Sequence, residues 1–176
     1  LQAISYSMDS KELRNLYANL LAKSMNKDTK EYVHPSFVEI IKQLSSTDAM
    51  VFKIIMGRNA NPLIDLVYEK NDYPSISIPT SVKIIATNIS DIDIAPVNIV
   101  SLSIDNLAKQ NLISIQKDLS YTDEHLYDKI LSSSFYLEQL KQHSTPIDGY
   151  KFSHQKHGIN KTNLGIFFYN ICVADL

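Results

Sequence analysis

The side chains from which chemistry could be built are few: five histidines, a single cysteine and a short basic run near the end of the chain. His154 and His157 stand three residues apart. On a strand such a pair points to opposite faces, and no Cys or neighbouring acid pair completes the four ligands that zinc takes. A polar loop is the expected setting. Cys172 would act as a nucleophile only with a histidine in reach and a depressed pKa. Beside Phe168, Tyr169 and Ile171 it reads as a buried core thiol. His34 next to Ser36 invites a catalytic reading, yet helix-start chemistry accounts for both residues: a polar cap, then Pro35, then a small residue in the first turn. Glu12 and Arg14 likewise carry charge at a helix start, where an ion pair is sufficient explanation. Glycine occurs only at positions 57, 149, 158 and 165, too sparse for a phosphate-cradling loop. The expectation is a chain that is not an enzyme and carries neither cofactor nor metal.

Anion binding has more material. Between Tyr150 and Ala174 stand Lys151, Lys156 and Lys161, with His154 and His157, and no acidic residue. Lys109 adds a cation near the end of an upstream helix that also holds Asp105. Asn98, Ser101, Asn106 and Gln110 on that helix could read base edges, but they suit any solvated face equally well. These lysines and histidines are the candidate nucleic-acid contacts. Three charges can steer an anion yet would neutralise few phosphates, so a solvated hairpin is the favoured reading.

The whole-chain numbers agree. The chain has 176 residues, 44% hydrophobic and 20% charged, with a net charge of −2. That is ordinary globular usage. Before Pro96 there are ten basic and eleven acidic residues, and from there on seven and eight. Neither half is a polycation. One cysteine permits no intramolecular disulfide and fits a reducing compartment. No apolar run approaches the roughly 20 residues that span a bilayer. A cytoplasmic setting is expected, with no membrane in this segment. Because the chain opens at Leu1 and not at a methionine, it reads as a fragment of a longer protein.

The elements that must position these residues follow from periodicity and caps. Asp9 with Glu12 has capping-box spacing and opens a helix to Met25, whose apolar face is Leu13, Leu16, Tyr17, Leu20 and Leu21. A second helix begins at His34-Pro35 and buries Phe37, Ile40, Ile41 and Leu44. Ser45 with Asp48 repeats the box and opens a third, with Met50, Val51, Ile54 and Ile55 inward and Gly57 as a left-handed terminator. Pro62, Pro74 and Pro79 argue against helices over 59–95, where Leu63–Glu69 and Ser81–Asn88 read as short extended segments in a loop-rich connection. A helix over Val97–Gln110 presents Val97, Val100, Ile104 and Leu107. Asn111 is its left-handed terminator, and Leu112 to Ile115 forms a strand. One longer helix is expected from Thr122 to Gln142, capped by Thr122 or Ser120, with Leu126, Ile130, Leu131, Leu137 and Leu140 apolar. Pro146 and Gly149 break it. Tyr150–Ser153 reads as extended, His157-Gly158 as a turn, and Asn163–Val173 as the closing helix.

A helix feeding Leu112-Ile113, then a returning strand ending at Thr162-x-x-Gly165 before a final helix, is similar to a winged helix-turn-helix. Thr162 would cap the next turn, and Gly165 would let that turn approach a neighbouring backbone. The usual glycine before Leu-Ile is Asn111, and an extra helix interrupts the wing. The fold expected is mainly α, of α+β class. A helical layer at 1–58 packs on a winged-helix-like part at 96–176 with a small β wing and an inserted helix at 122–142. A connection at 59–95 joins them, and the whole forms one compact unit. Tyr127, Phe135 and Tyr136 widen the apolar face of the inserted helix into a candidate docking surface for a protein partner or a second copy, with burial in their own domain as the alternative.

Glu12-Leu13-Arg14 through Tyr17 to Met25, then Val33-His34-Pro35-Ser36-Phe37-Val38-Glu39 through Ser45 and Asp48-Ala49, resembles the opening of the abortive infection alpha family. Asn106-Leu107 with Leu112-Ile113, and Thr162, Gly165, Phe168 and Cys172, match its later signals. The resemblance implies a bacterial or prophage-borne protein linked to phage defence, and it supplies no catalytic residues. The expected function is a non-catalytic binding or sensing module in abortive infection, partnered by a protein or by itself. The alternatives are a winged-helix DNA-binding regulator and a toxin-type effector enzyme.

Overall fold

The computed structural model describes residues 10–85, 95–117, 119–145, 147 and 149–174. In chain order the elements are α1 (Lys11–Met25), α2 (Ser36–Gln43), α3 (Ser46–Gly57), β1 (Pro62–Lys70), β2 (Tyr73–Ile85), α4 (Val97–Lys109), β3 (Ile113–Gln116), α5 (Asp128–Leu131), α6 (Ser134–Gln142), β4 (Tyr150–Lys161) and α7 (Asn163–Phe168). Single turns of 3-10 helix at Lys30–Tyr32 and Glu124–Tyr127, and a π turn at Tyr169–Val173, complete them. The architecture is mixed α and β. Among the described residues no helix is long and apolar enough to cross a membrane.

The chain divides into two compact units. The first comprises residues 1–58, 103–114 and 161–176, and the second residues 59–102 and 115–160. Helix α4 is counted with the second unit to Leu102 and with the first from Ser103.

In the first unit, α1 buries Leu13, Leu16 and Leu20, while Leu21, expected on the same face, is 61% exposed. Its cap is Ser10, whose hydroxyl accepts from the Leu13 amide at 3.4 Å. Asp9, the expected cap, lies outside the described residues. The box at the start of α3 is complete: Ser45 Oγ accepts from the Asp48 amide at 3.1 Å, and Asp48 Oδ2 accepts from the Ser45 amide at 2.7 Å. Asn106 Nδ2 adds a bond to the same carboxylate at 2.9 Å. Helix α3 turns Val51, Phe52, Ile55 and Met56 inward, with Met50 and Ile54 only half-buried. Gly57 lies inside the helix with an ordinary φ, and Arg58 ends it in an extended conformation, so no left-handed terminator is used. The rings of Phe37 and Phe52 meet Phe168 edge-on at 5.4 and 5.7 Å, and all three are buried.

The end of α4 is a tight lock. Asn111 adopts φ 57°, the left-handed conformation that asparagine tolerates. Thr162 Oγ1 caps α7 by accepting from the Gly165 amide at 2.9 Å, and donates toward the carbonyls of Asn111 and Leu112 at 2.6 and 3.0 Å. Gly165 is obligatory, because a Cβ there would fall 1.9 Å from the Leu112 oxygen.

The second unit is built on a sheet in the order β2-β1-β4-β3, with β1 antiparallel to both neighbours. The extended segments expected at Leu63–Glu69 and from Ser81 are parts of two long strands joined at Asn71-Asp72, a hairpin in place of a loop-rich connection. Residues 86–88 lie outside the described residues. The prolines do not oppose this. Pro62 opens β1, and Pro74 and Pro79 sit on β2, an edge strand, where a missing N–H breaks no interior ladder.

Strand alternation then gives the sheet two different faces. Ile64, Leu66 and Ile84 join Tyr127, Ile130 and Tyr136 in one buried cluster, with Phe135 and Phe152 packed against it. The helix expected over 122–142 is interrupted. Ser133 Oγ donates to the Ile130 carbonyl at 2.7 Å and accepts from the Tyr136 amide at 3.1 Å, ending α5 and capping α6 in one step. Serine competes with the helix ladder in this way. At the front, Asp123 caps the 3-10 turn by accepting from the His125 amide, in place of Thr122 or Ser120. His157-Gly158 is not a turn but lies within β4, Gly158 opposite Pro62.

Gly165→Ala should therefore cost about 3 kcal/mol or more by overpacking against backbone, read as a lower urea midpoint. At Gly57 an added Cβ would meet nothing within 4 Å, so Gly57→Ala should instead stabilise by about 0.5–1 kcal/mol.

Candidate functional site

The second face of the sheet carries an open polar cleft of about 760 Å³, all of it within the second unit. Its residues come from adjacent strands in register: Asp65 opposite Gln155, Val67 opposite Pro79, with Ser75 and Ser77 from β2 and Lys117 and Ser120 from the segment after β3. Asp65 Oδ2 stands 3.7 Å from His157 Nε2, with the two side chains 16% and 5% exposed. At that distance the two groups are in contact but too far apart for a hydrogen bond. His157 Nδ1 is buried with no hydrogen-bond partner among the described residues. Leaving such a group unpaired costs about 1–3 kcal/mol. Gln155 Nε2 donates to Ser77 Oγ at 3.1 Å, so the serine keeps its own proton for another acceptor.

The candidate anion contacts do not form one surface. Lys109 is exposed on α4 within the first unit, where Lys161 Nζ donates to the Met56 carbonyl at 2.8 Å. In the second unit, Lys151 Nζ lies 3.9 Å from Glu69, and Lys156 pairs with Glu124 while standing over the Tyr127 ring at 5.2 Å. His154 and His157 point to opposite faces of β4. The first is bonded at Nδ1 to the Tyr136 hydroxyl at 2.6 Å, and the second faces Asp65. A second pair of this kind joins Tyr68 to His143, also at 2.6 Å. Five of the six candidate basic side chains, all but Lys109, thus have neighbours of their own, a use that a one-dimensional count of charge does not reveal.

The docking face expected on Tyr127, Phe135 and Tyr136 is consumed inside the unit. Tyr127 is fully buried, its hydroxyl donating to the His157 carbonyl at 2.9 Å. Tyr136 is 6% exposed, and Phe135 packs on the same cluster. The cleft residues that sequence reasoning missed include Asp65 and Gln155; Gln155 carried no signal of its own, Asp65 did. Its signal was a carboxylate in the middle of the apolar run Leu63-Ile64-Asp65-Leu66-Val67.

A family model described as abortive infection alpha matches residues 1–172, which is nearly the whole chain. The chain belongs to the abortive infection alpha family. Among solved structures, an uncharacterized protein from the hydrocarbon-degrading marine bacterium Alcanivorax borkumensis SK2 is similar at 14% identity and a TM-score of 0.48, covering 78% of this chain and 92% of that one. No curated protein matches the sequence.

Two further clefts lie within the first unit. One, of about 420 Å³, is lined by Tyr32, His34, Phe37 and Phe167. His34 Nδ1 there accepts from the Ser36 amide at 3.1 Å, the helix-start role expected of it. The other, of about 480 Å³, lies between α1, α3 and the Cys172 turn. The Cys172 thiol is fully buried, and burial pushes its pKa up to about 12.

In this abortive infection alpha chain, Cys172 should stay unmodified by iodoacetamide at pH 8 in the native state and react at once in denaturant, as mass spectrometry would show. The histidines give a second test. Burial first, then Lys156, holds His154 below its ordinary value of 6.5. Unfolding then takes up a proton on the acid side. The stability His154 contributes is complete above about pH 6.5 and lost as pH falls through its folded value. His125, exposed and bonded to Asp128, is shifted upward, so its contribution holds at low pH and is lost as pH rises through its folded value. An NMR titration should place the His154 midpoint below 6.5 and that of His125 above it. His154→Gln should remove the matching part of the acid-side loss in urea midpoint.

Proposed function

We propose that this chain is a non-catalytic recognition module acting in abortive infection, and that its ligand is taken up in the cleft around Asp65, Gln155 and His157. The observation that carries this reading is the cleft itself: hydroxyl, amide, carboxylate and imidazole groups from three strands line one open pocket. Pockets of this size with a few convergent polar groups are the usual setting of ligand binding. Membership of the abortive infection alpha family supplies the biological setting.

The non-catalytic part is supported by how the other reactive groups are used. The thiol is buried with its pKa pushed up to about 12, His34 Nδ1 accepts from the Ser36 amide, and His143 and His154 are engaged by tyrosine hydroxyls. A winged-helix arrangement of α4, β3, β4 and α7 is supported by the Thr162 cap and the approach of Gly165 to Leu112. In this reading that arrangement serves as scaffold.

Phage challenge of cells expressing the full-length protein tests the proposal. Plaque formation should drop relative to empty vector. Protection should survive Cys172→Ser and His34→Ala and be lost in Gln155→Leu. Loss of protection in a folded Cys172→Ser or His34→Ala variant would favour an effector enzyme and end the recognition reading.

A further inference from the structure

The first unit leaves two aromatic rings in water. On α7, Phe168 is fully buried in the core, yet its neighbour Phe167 is 51% exposed. Tyr32, at the end of the 3-10 turn, is 57% exposed. Both rings line the same pocket of about 420 Å³, together with the exposed imidazole of His34. Large apolar side chains gathered at one exposed place mark a binding surface, where scattered ones do not. Glu31 lines this pocket too, exposed and with no ion-pair partner among the described residues, and no Lys or Arg lines it. Two backbone N–H groups at the starts of α2 and α7, which would favour an anion, are taken: that of Ser36 by His34 Nδ1 and that of Gly165 by Thr162 Oγ1.

An aromatic ring attracts a positive charge through its electron-rich face, and quaternary ammonium groups are the ligands that clustered rings suit best. Such a group carries charge for Glu31 and apolar methyls for the rings, and needs no hydrogen-bond partner. A neutral apolar ligand would leave the carboxylate unused. At about 420 Å³ the pocket is of the smaller size among ligand sites, suited to a free molecule and not to a folded partner. We infer that this pocket binds a small organic cation carrying a trimethylammonium group, held against the rings of Tyr32 and Phe167 with Glu31 as its counter-charge. The site lies in the first unit and stands apart from the recognition reading, whose cleft lies in the second.

Titration of the isotope-labelled chain with choline, followed by amide shifts in NMR, tests this. Choline shifts the amides of residues 31–34 and 163–167 saturably. The neutral analogue with carbon in place of the nitrogen binds at least tenfold more weakly. Tyr32→Leu and Phe167→Leu, both at exposed positions and with the parent's urea midpoint, each weaken binding by roughly fivefold or more. Tyr32→Phe, which keeps the ring, binds like the parent. Glu31→Gln weakens choline and leaves the neutral analogue unchanged. Phosphatidylcholine vesicles, which offer the same group on a surface, do not sediment the chain. The inference is overturned if choline shifts none of these amides, if the neutral analogue binds as tightly, if Tyr32→Leu binds like the parent, or if vesicles capture the chain and free choline does not bind.

Discussion

The pairing of β1 with β4 is the constraint on which the second unit depends. From Pro62 opposite Gly158 to Lys70 opposite Tyr150 the two strands run in unbroken antiparallel register. Side chains alternate across a strand, so this register sends Ile64, Leu66 and Phe152 into the aromatic cluster and Asp65, Gln155 and His157 to the cleft. A slip by one residue would exchange the two sets, burying a carboxylate among tyrosines and exposing the apolar row. The hydrophobic effect that forms the core therefore also determines the chemistry of the opposite face. Positioning of the candidate site is a consequence of packing.

The first unit relies on a constraint of another kind, close backbone contact. Asn111 turns the chain left-handed, Thr162 bonds to the carbonyls at that turn, and Gly165 packs directly on Leu112. Each step needs its particular side chain: an amide that tolerates positive φ, a hydroxyl that both donates and accepts, and the absence of a Cβ. The buried phenylalanine group around Phe168 follows from where this lock places α7.

Local chemistry is the legible part of the sequence. The Ser45–Asp48 box, the Asn111 turn and the Thr162 cap each involve residues a few positions apart, and spacing alone exposes them. The Gly165 contact is legible too, because the pattern around Thr162 implies a close approach. Pairing between distant segments is not. Pro74 and Pro79 rule out a helix correctly, but only the sheet order shows that they occupy an edge. Ser133 breaks the expected long helix by offering the backbone another partner, a choice that periodicity does not register. The cleft is invisible for the same reason: Asp65 and His157 meet only after strand pairing, and His157 alone looks like a turn residue in a basic hairpin.

Cross-strand nuclear Overhauser contacts between β1 and β4 are the most direct test of this account. It predicts contacts of Asp65 with Gln155, Val67 with Ser153 and Leu63 with His157 as opposed pairs. A set displaced by one residue, with Asp65 opposite His154 or Lys156, would place the carboxylate and His157 on different faces and contradict it.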